Sequence, residues 1–101
     1  MDVEDVASIA ANLEGVRRTS VKGRAVWRFH GRLVARQLDA RHIVIRAELD
    51  VRGALVDRHP QTFSVPTRFA RHMMVVADLA GDAGAIEDAI EAAWALQRRG
   101  D

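Results

Sequence analysis

The sequence predicts a single α+β domain, because its hydrophobic periodicity changes from that of a helix to that of strands. The first fourteen residues place apolar side chains at helical spacing, whereas from Ala25 onward apolar and polar residues alternate as they do in half-buried strands. A chain of 101 residues has room for one hydrophobic core. Its apolar fraction of 49% and charged fraction of 29% are typical of a globular protein.

The N-terminal half is predicted to contain a helix followed by a β-hairpin. The helix covers residues 2–14, and Gly15 suits its C-terminal cap. Alternation over residues 26–30 and 33–38 predicts the two strands of the hairpin, with a tight turn around Gly31.

The hairpin is expected to have one face in the core and one face turned outward. Residues opposed across a two-residue turn share a face, so Trp27 and Phe29 are expected beside Val34 and Leu38 in the core. This prediction buries the two aromatic side chains, which would otherwise be available to stack on bases. The opposite face is expected to carry Val26, Arg28, His30, Leu33, Ala35 and Gln37.

The rest of the chain is expected to alternate between strands and helices, which gives the overall order α-β-β-β-α-β-β-α. A β-branched run forms the third strand, and turn residues separate the later segments. In chain order the segments are a strand at 42–46, a helix at 51–59 between Asp50 as N-cap and Pro60, strands at 62–65 and 72–77 around a basic loop at 66–71, and a helix that follows Asp82 and ends at Gly100.

Charge is unevenly distributed, although the formal net charge is only +1. The first fourteen residues carry four acids and no base, and residues 73–101 carry six acids against two arginines. Between them, residues 15–72 carry thirteen Lys or Arg against four acids. All the bases except Lys22 are arginines, which reflects either phosphate recognition by guanidinium groups or a GC-rich genome.

No catalytic or metal-binding motif is present. The chain has no cysteine, so disulfides, thiolate metal sites and a cysteine nucleophile are excluded. The four histidines lack the spacing that places two imidazoles on one face, no serine lies in a Gly-x-Ser-x-Gly elbow, and the glycines match no nucleotide-binding loop. The sequence thus predicts that the protein is not an enzyme and needs no metal or cofactor.

The sequence also predicts a cytoplasmic protein with no membrane association. Its N-terminus is acidic and lacks the basic start and apolar run of a secretory signal. No apolar stretch approaches the roughly 18 residues that a membrane-spanning helix needs.

Three segments, taken in this order, resemble the MmcQ/YjbR family. They are GRAVWRFHGRLVAR at 23–36, VRGALVDRHPQTFSV at 51–65 and DAIEAAWALQ at 88–97. The family pattern has an aromatic strand, a Gly-Arg or Gly-Lys turn, a strand ending in Ala-Arg, a His/Pro/Phe segment and a late Trp. Two segments depart from it, namely SVKGR at 20–24 in place of a Trp-Gly-Pro-type sequence and RFARH at 68–72 in place of an aromatic-rich one.

The resemblance implies a secretion-chaperone-like fold, in which helices flank an antiparallel sheet. It also implies DNA binding through a double-wing arrangement of hairpins, without catalytic activity.

Two functional hypotheses follow. In the first, arginines on and beside the hairpin bind the phosphate backbone of nucleic acid weakly and without sequence preference, unless the acidic helices neutralise them. The second is a protein-interaction or chaperone-like module with an exposed apolar patch that includes Met73 and Met74. A small-ligand pocket between helix and sheet is a third possibility. The predicted phosphate-binding residues are Arg24, Arg28, Arg32, Arg36, Arg41 and Arg46.

Overall fold

A computed structural model describes residues 1–100, which form an antiparallel sheet with α-helices packed against it. The six strands lie in the order β1-β2-β3-β4-β6-β5. The predicted α+β class with an antiparallel sheet is confirmed. The elements are α1 (Val3–Ala11), β1 (Val16–Val21), β2 (Arg24–Phe29), β3 (Arg32–Gln37), β4 (His42–Arg46), α2 (Leu49–Arg58), β5 (Phe63–Ser64), a 3-10 turn (Thr67–Phe69), β6 (Met74–Asp78) and α3 (Ala83–Arg99).

The main core lies between the sheet and the helices α1 and α3. Trp27 on β2 is only 2% exposed, and it packs in one cluster with Val6 of α1 and Ile86 of α3. We call this face of the sheet the helix side. It buries the alternate apolar residues of the central strands, as expected for a sheet with one covered face.

A second, smaller cluster lies on the opposite face, over β4 and β6. Phe69 of the 3-10 turn packs there against Val44 and Val76, and Leu38 and Met74 border it. Over β1, β2 and β3 this face forms an open depression. We call that region the open face. Its residues, by strand register, are Arg17, Thr19, Val21, Arg24, Val26, Arg28, Leu33 and Arg36.

The strand β1 was not predicted, so four strands rather than three precede α2. A two-residue turn, Lys22-Gly23, joins β1 to β2 with φ of 52° and 79°, and His30-Gly31 joins β2 to β3 with φ of 48° and 84°. Two positive φ angles are typical of the type I′ turns that suit tight hairpins. At the edge of the sheet, residues 17–21 are exposed, so the strand shows no apolar alternation.

A β-bulge shifts the register between β2 and β3. Trp27 pairs with Ala35 but Arg28 pairs with Leu33, so Val34 is an extra residue on β3. The predicted burial of Trp27, Phe29 and Val34 is confirmed, and Arg28 lies on the opposite face as predicted. The predicted faces of two other residues are wrong because of the bulge: Ala35 lies on the helix side, and Leu38 lies in the second cluster. Gln37 pairs with Ile43 of the main core and also lines the depression on the open face.

Several predicted element boundaries also change. The first helix ends at Ala11, and Gly15, with φ of 79°, lies in the turn that leads into β1. The residue at the N-cap of α2 is Glu48, so Asp50 falls within the first turn of that helix. Asp82 caps α3 as predicted, because its carboxylate accepts a 2.9 Å hydrogen bond from the Ala85 N–H.

Candidate nucleic-acid interface

Three of the six predicted arginines meet on the open face. Arg24, Arg28 and Arg36 line a depression of about 330 Å³ together with Lys22, and no carboxylate is part of its lining. The register places Arg28 directly opposite Arg17 on β1. The depression thus gathers positive charge from two adjacent strands, β2 and β3, and from the turn that joins β1 to β2.

Carboxylates of the described residues do not neutralise the four cations that line the depression. Within residues 1–100, none of Lys22, Arg24, Arg28 and Arg36 forms an ion pair with a carboxylate. Arg28 donates a hydrogen bond of 3.1 Å to the Thr19 hydroxyl, which orients the guanidinium without neutralising it.

The acidic helices pack on the other side of the sheet. The Glu4 carboxylate of α1 lies 3.2 Å from Nη1 of Arg18, a residue whose strand position faces the helix side. On α3 the carboxylates of Glu87, Asp88 and Glu91 are exposed on a helix that packs against the core of that side. The open face and the acidic helix surfaces are therefore separated by the sheet.

Arg32 does not belong to the open face. It pairs with Phe29, whose ring is in the main core, so the register directs Arg32 to the helix side. There its Nη1 donates a 3.0 Å hydrogen bond to the main-chain carbonyl oxygen of Gln97, near the end of α3. Arg32 therefore joins the hairpin to α3, and the structure does not bring it together with Arg24, Arg28 and Arg36.

Arg41 is neutralised by Asp78. Two guanidinium nitrogens lie 2.8 Å from the two carboxylate oxygens, the bidentate arrangement that suits this pair. The hydrogen bond from Arg41, and then that from the main-chain N–H of Ala80, lower the pKa of Asp78 to about 2. The same pairing raises the pKa of Arg41. Arg41 is thus committed to an intramolecular ion pair.

Arg46 lies outside the basic depression. It borders a different one, whose lining includes Glu48 and Arg99. Glu48 and Arg99 form an exposed ion pair with each other. The predicted set of six therefore divides into three clustered arginines, one tied to α3, one paired with an acid and one at a separate place.

Three further cations lie at or near the open face and were not among the predicted phosphate-binding residues. Lys22 lines the depression, and Arg17 lies opposite Arg28 on β1. Arg68 lies with its guanidinium carbon 4.8 Å from the centroid of the Phe69 ring, and Arg36 approaches the same ring at 5.7 Å. The Lys22-Gly23 pair is a turn signal of the kind that predicted the other hairpin, and it would have located the first two.

The aromatic side chains near the open face are buried. Trp27, Phe29 and Phe69 are respectively 2%, 6% and 8% exposed, so their rings pack in the two clusters rather than face solvent. A ligand on the open face accordingly meets guanidinium and ammonium groups. This arrangement is suited to phosphate oxygens, since base stacking needs an accessible ring.

Three of the four histidines lie beside a carboxylate or an aromatic ring in the described part of the chain. His42 is 2.9 Å from Asp39, His59 is 3.8 Å from Asp82, and His30 stacks on Phe29. Among residues 1–100, no group of three or more His, Asp or Glu side chains is placed to hold a metal ion. In the same range no helix is both long and apolar enough to cross a membrane.

Comparison of the chain with models of protein families, with curated proteins and with solved structures finds no match. The similarity of its three segments to the MmcQ/YjbR family stays a prediction.

Proposed function

We propose that this protein binds nucleic acid weakly and without sequence preference, through contacts between the open face and the phosphate backbone. One observation carries the proposal: Lys22, Arg24, Arg28 and Arg36 surround a single depression that no carboxylate lines. Each guanidinium presents a planar fork of N–H donors that matches phosphate oxygens.

The spacing of a sheet suits a charged backbone. Same-face residues repeat about every 7 Å along a strand, and neighbouring strands lie about 5 Å apart. Duplex DNA carries one charge per about 1.7 Å of its axis, so several phosphates lie within reach of such an array. Binding of this kind is governed by release of counterions, and its affinity falls as salt rises.

The resemblance to the MmcQ/YjbR family supports the same proposal. The chain has two consecutive hairpins, β1–β2 and β2–β3, and both contribute residues to the depression. A pair of hairpins is the feature through which that family is held to contact DNA.

The test is titration of a mixed-sequence DNA duplex at several salt concentrations. Neutralisation of four phosphates by the four lining cations gives a slope of log K against log salt of about −3.6. The double substitution Arg24→Gln and Arg36→Gln is expected to weaken binding and to change that slope to about −1.8.

A matched control separates the open face from net charge. Arg58→Gln with Arg98→Gln removes the same charge from α2 and α3, where both residues are exposed. It is expected to leave the slope near that of the unsubstituted protein. Absence of binding at low salt, or an equal loss in both double variants, contradicts the proposal.

A further inference from the structure

The strand β1 leaves one edge of the sheet free. It is the last strand on its side, and its residues from Arg17 to Val21 are exposed. The other edge strand, β5, has only two residues and packs beside α2. An exposed edge presents unpaired main-chain donors and acceptors, and an extended segment can bind to it as an added strand.

The hairpin geometry identifies which main-chain groups are free. In a two-residue hairpin the residues that flank the turn form a hydrogen-bonded pair, here Val21 and Arg24, and such pairs alternate along the ladder. Thr19 and Arg17 therefore bond to β2, whereas the N–H and C=O groups of Arg18 and Ser20 point away from the sheet.

The helix side of this edge has an apolar notch of about 220 Å³. Alanine side chains of α1 and the ring of Trp27 form part of its wall, and Val16 and Arg18 of β1 form the rest. In a strand added next to β1, the residue opposite Arg18 lies on the helix side, next to this notch. An apolar side chain at that position is favoured because it loses its contact with water.

The other side of the same edge is basic. Arg17 lies there, directly across from Arg28, and no acid of residues 1–100 forms an ion pair with either of them. A residue of the added strand that faces Arg17 is favoured when it is acidic. A second copy of β1 would instead add the cation of its own Arg17 to this edge, which is less favourable than an acid.

We propose that β1 binds an extended segment of a partner protein in which acidic and apolar residues alternate, and that this segment adds to the sheet as a seventh strand. Its apolar residues lie over the notch between α1 and β1. Its acidic residues lie beside Arg17 on the open face. This edge adjoins the basic depression, which Val21 also lines, but the proposed phosphate contacts of Lys22, Arg24, Arg28 and Arg36 are not used by the added strand.

The probe is a capped peptide of about eight residues that alternates valine and aspartate, long enough to cover a typical strand. Titration is followed by the amide resonances of the whole protein, and the largest shifts are expected in residues 16–21. A peptide of the same composition with valine and aspartate in two blocks is expected to bind about tenfold more weakly, because its side chains cannot match both sides of the edge.

Main-chain pairing is tested on the peptide, so that the protein stays unchanged. Methylation of the N–H groups of alternate residues blocks one hydrogen-bonding side of the peptide. One peptide is methylated at its odd-numbered residues and a second at its even-numbered residues, so the two have opposite sides blocked. The peptide whose blocked side faces β1 is expected to bind about tenfold more weakly, the equivalent of a net hydrogen bond, and the other peptide is expected to lose much less affinity. Equal binding of both methylated peptides overturns strand addition.

A pair of substitutions at one position tests the edge itself. Ser20→Pro removes an outward N–H and retains the bonds of β1 to β2, and Ser20→Val keeps that N–H in a β-branched residue. Only the proline variant is expected to lose peptide binding. Unchanged binding by Ser20→Pro overturns the proposal. Loss of peptide binding in the Arg24→Gln, Arg36→Gln variant also overturns it, since the peptide would then occupy the depression.

Discussion

Arg52 of α2 provides the sharpest test of how the loop over the second cluster is held. Its guanidinium group donates hydrogen bonds to four main-chain carbonyl oxygens, those of Phe69 at 3.2 Å, Ala70 at 3.1 Å, His72 at 2.8 Å and Met74 at 3.4 Å. These carbonyl groups surround the end of the 3-10 turn that carries Phe69. We expect Arg52→Met to loosen this segment while keeping most of the aliphatic volume of the side chain.

The size of the effect follows from these four contacts. A hydrogen bond to a charged donor contributes about 1.5–3 kcal/mol, but two of the four acceptors belong to exposed residues and regain hydrogen bonds with water. Since such contributions do not add fully, we expect Arg52→Met to lower the free energy of unfolding by about 2–4 kcal/mol. Arg52→Lys should recover only a minor part, because one ammonium group cannot reach all four oxygens.

Urea unfolding followed by tryptophan fluorescence measures this change through the midpoint, provided that the m-value stays constant. The matched control is Arg58→Met on the same helix, which removes an exposed side chain and should change stability by less than about 0.5 kcal/mol. A loss of less than about 1 kcal/mol for Arg52→Met, or equal losses in the two variants, refutes the reasoning.

Two further predictions concern a pair of glycines and the stability of the fold at acid pH. Gly15 and Gly23 both have φ of 79°, but a Cβ atom would lie 2.6 Å from the Phe29 ring at Gly15 and would meet nothing within 4 Å at Gly23. Gly23→Ala should cost about 1–2 kcal/mol from backbone strain, and Gly15→Ala about 1–3 kcal/mol more from overpacking; equal midpoints in urea would contradict this. The pKa of Asp78 is lowered from 3.8 to about 2, so its pairing with Arg41 stabilises the fold above about pH 4 and is lost as the pH falls toward about 2. Asp78→Asn should flatten the stability profile in that window, and an unchanged slope would contradict the assignment.

Local turn and capping chemistry was predictable from the sequence only in part, since Asp50 and Gly15 do not form the caps predicted for them. The hairpin turn at His30-Gly31 and the cap formed by Asp82 depend on a few neighbouring residues, and both are present in the structure. The strand β1 was not predicted, because periodicity reports a buried face and this edge strand has none. Its turn, Lys22-Gly23, was the available signal.

The candidate site was predictable only in part, for reasons that concern register and tertiary pairing. Arg32 flanks the turn directly opposite Phe29, so the cross-strand rule applied to the predicted hairpin already places the two on one face. The pairing of Arg41 with Asp78 joins residues that are 37 positions apart, and local sequence patterns carry no information about it. The clustering of Arg24, Arg28 and Arg36 could not be predicted in this way, because it depends on the register of the strands in the folded sheet.

The bulge in β3 makes the electrostatics of this protein sensitive to strand register as well as to composition. If β3 kept all its residues but paired with β2 without the bulge, Val34 would pair with Trp27, and Arg36 would pair with Ala25 on the helix side. Regular pairing of the same residues would therefore move this charge to the other surface of the sheet while every arginine is retained, whereas deletion of Val34 would leave Arg36 opposite Val26. Among relatives of this chain, a β3 of the same length that paired without the bulge would predict a different ligand preference even where the basic residues align.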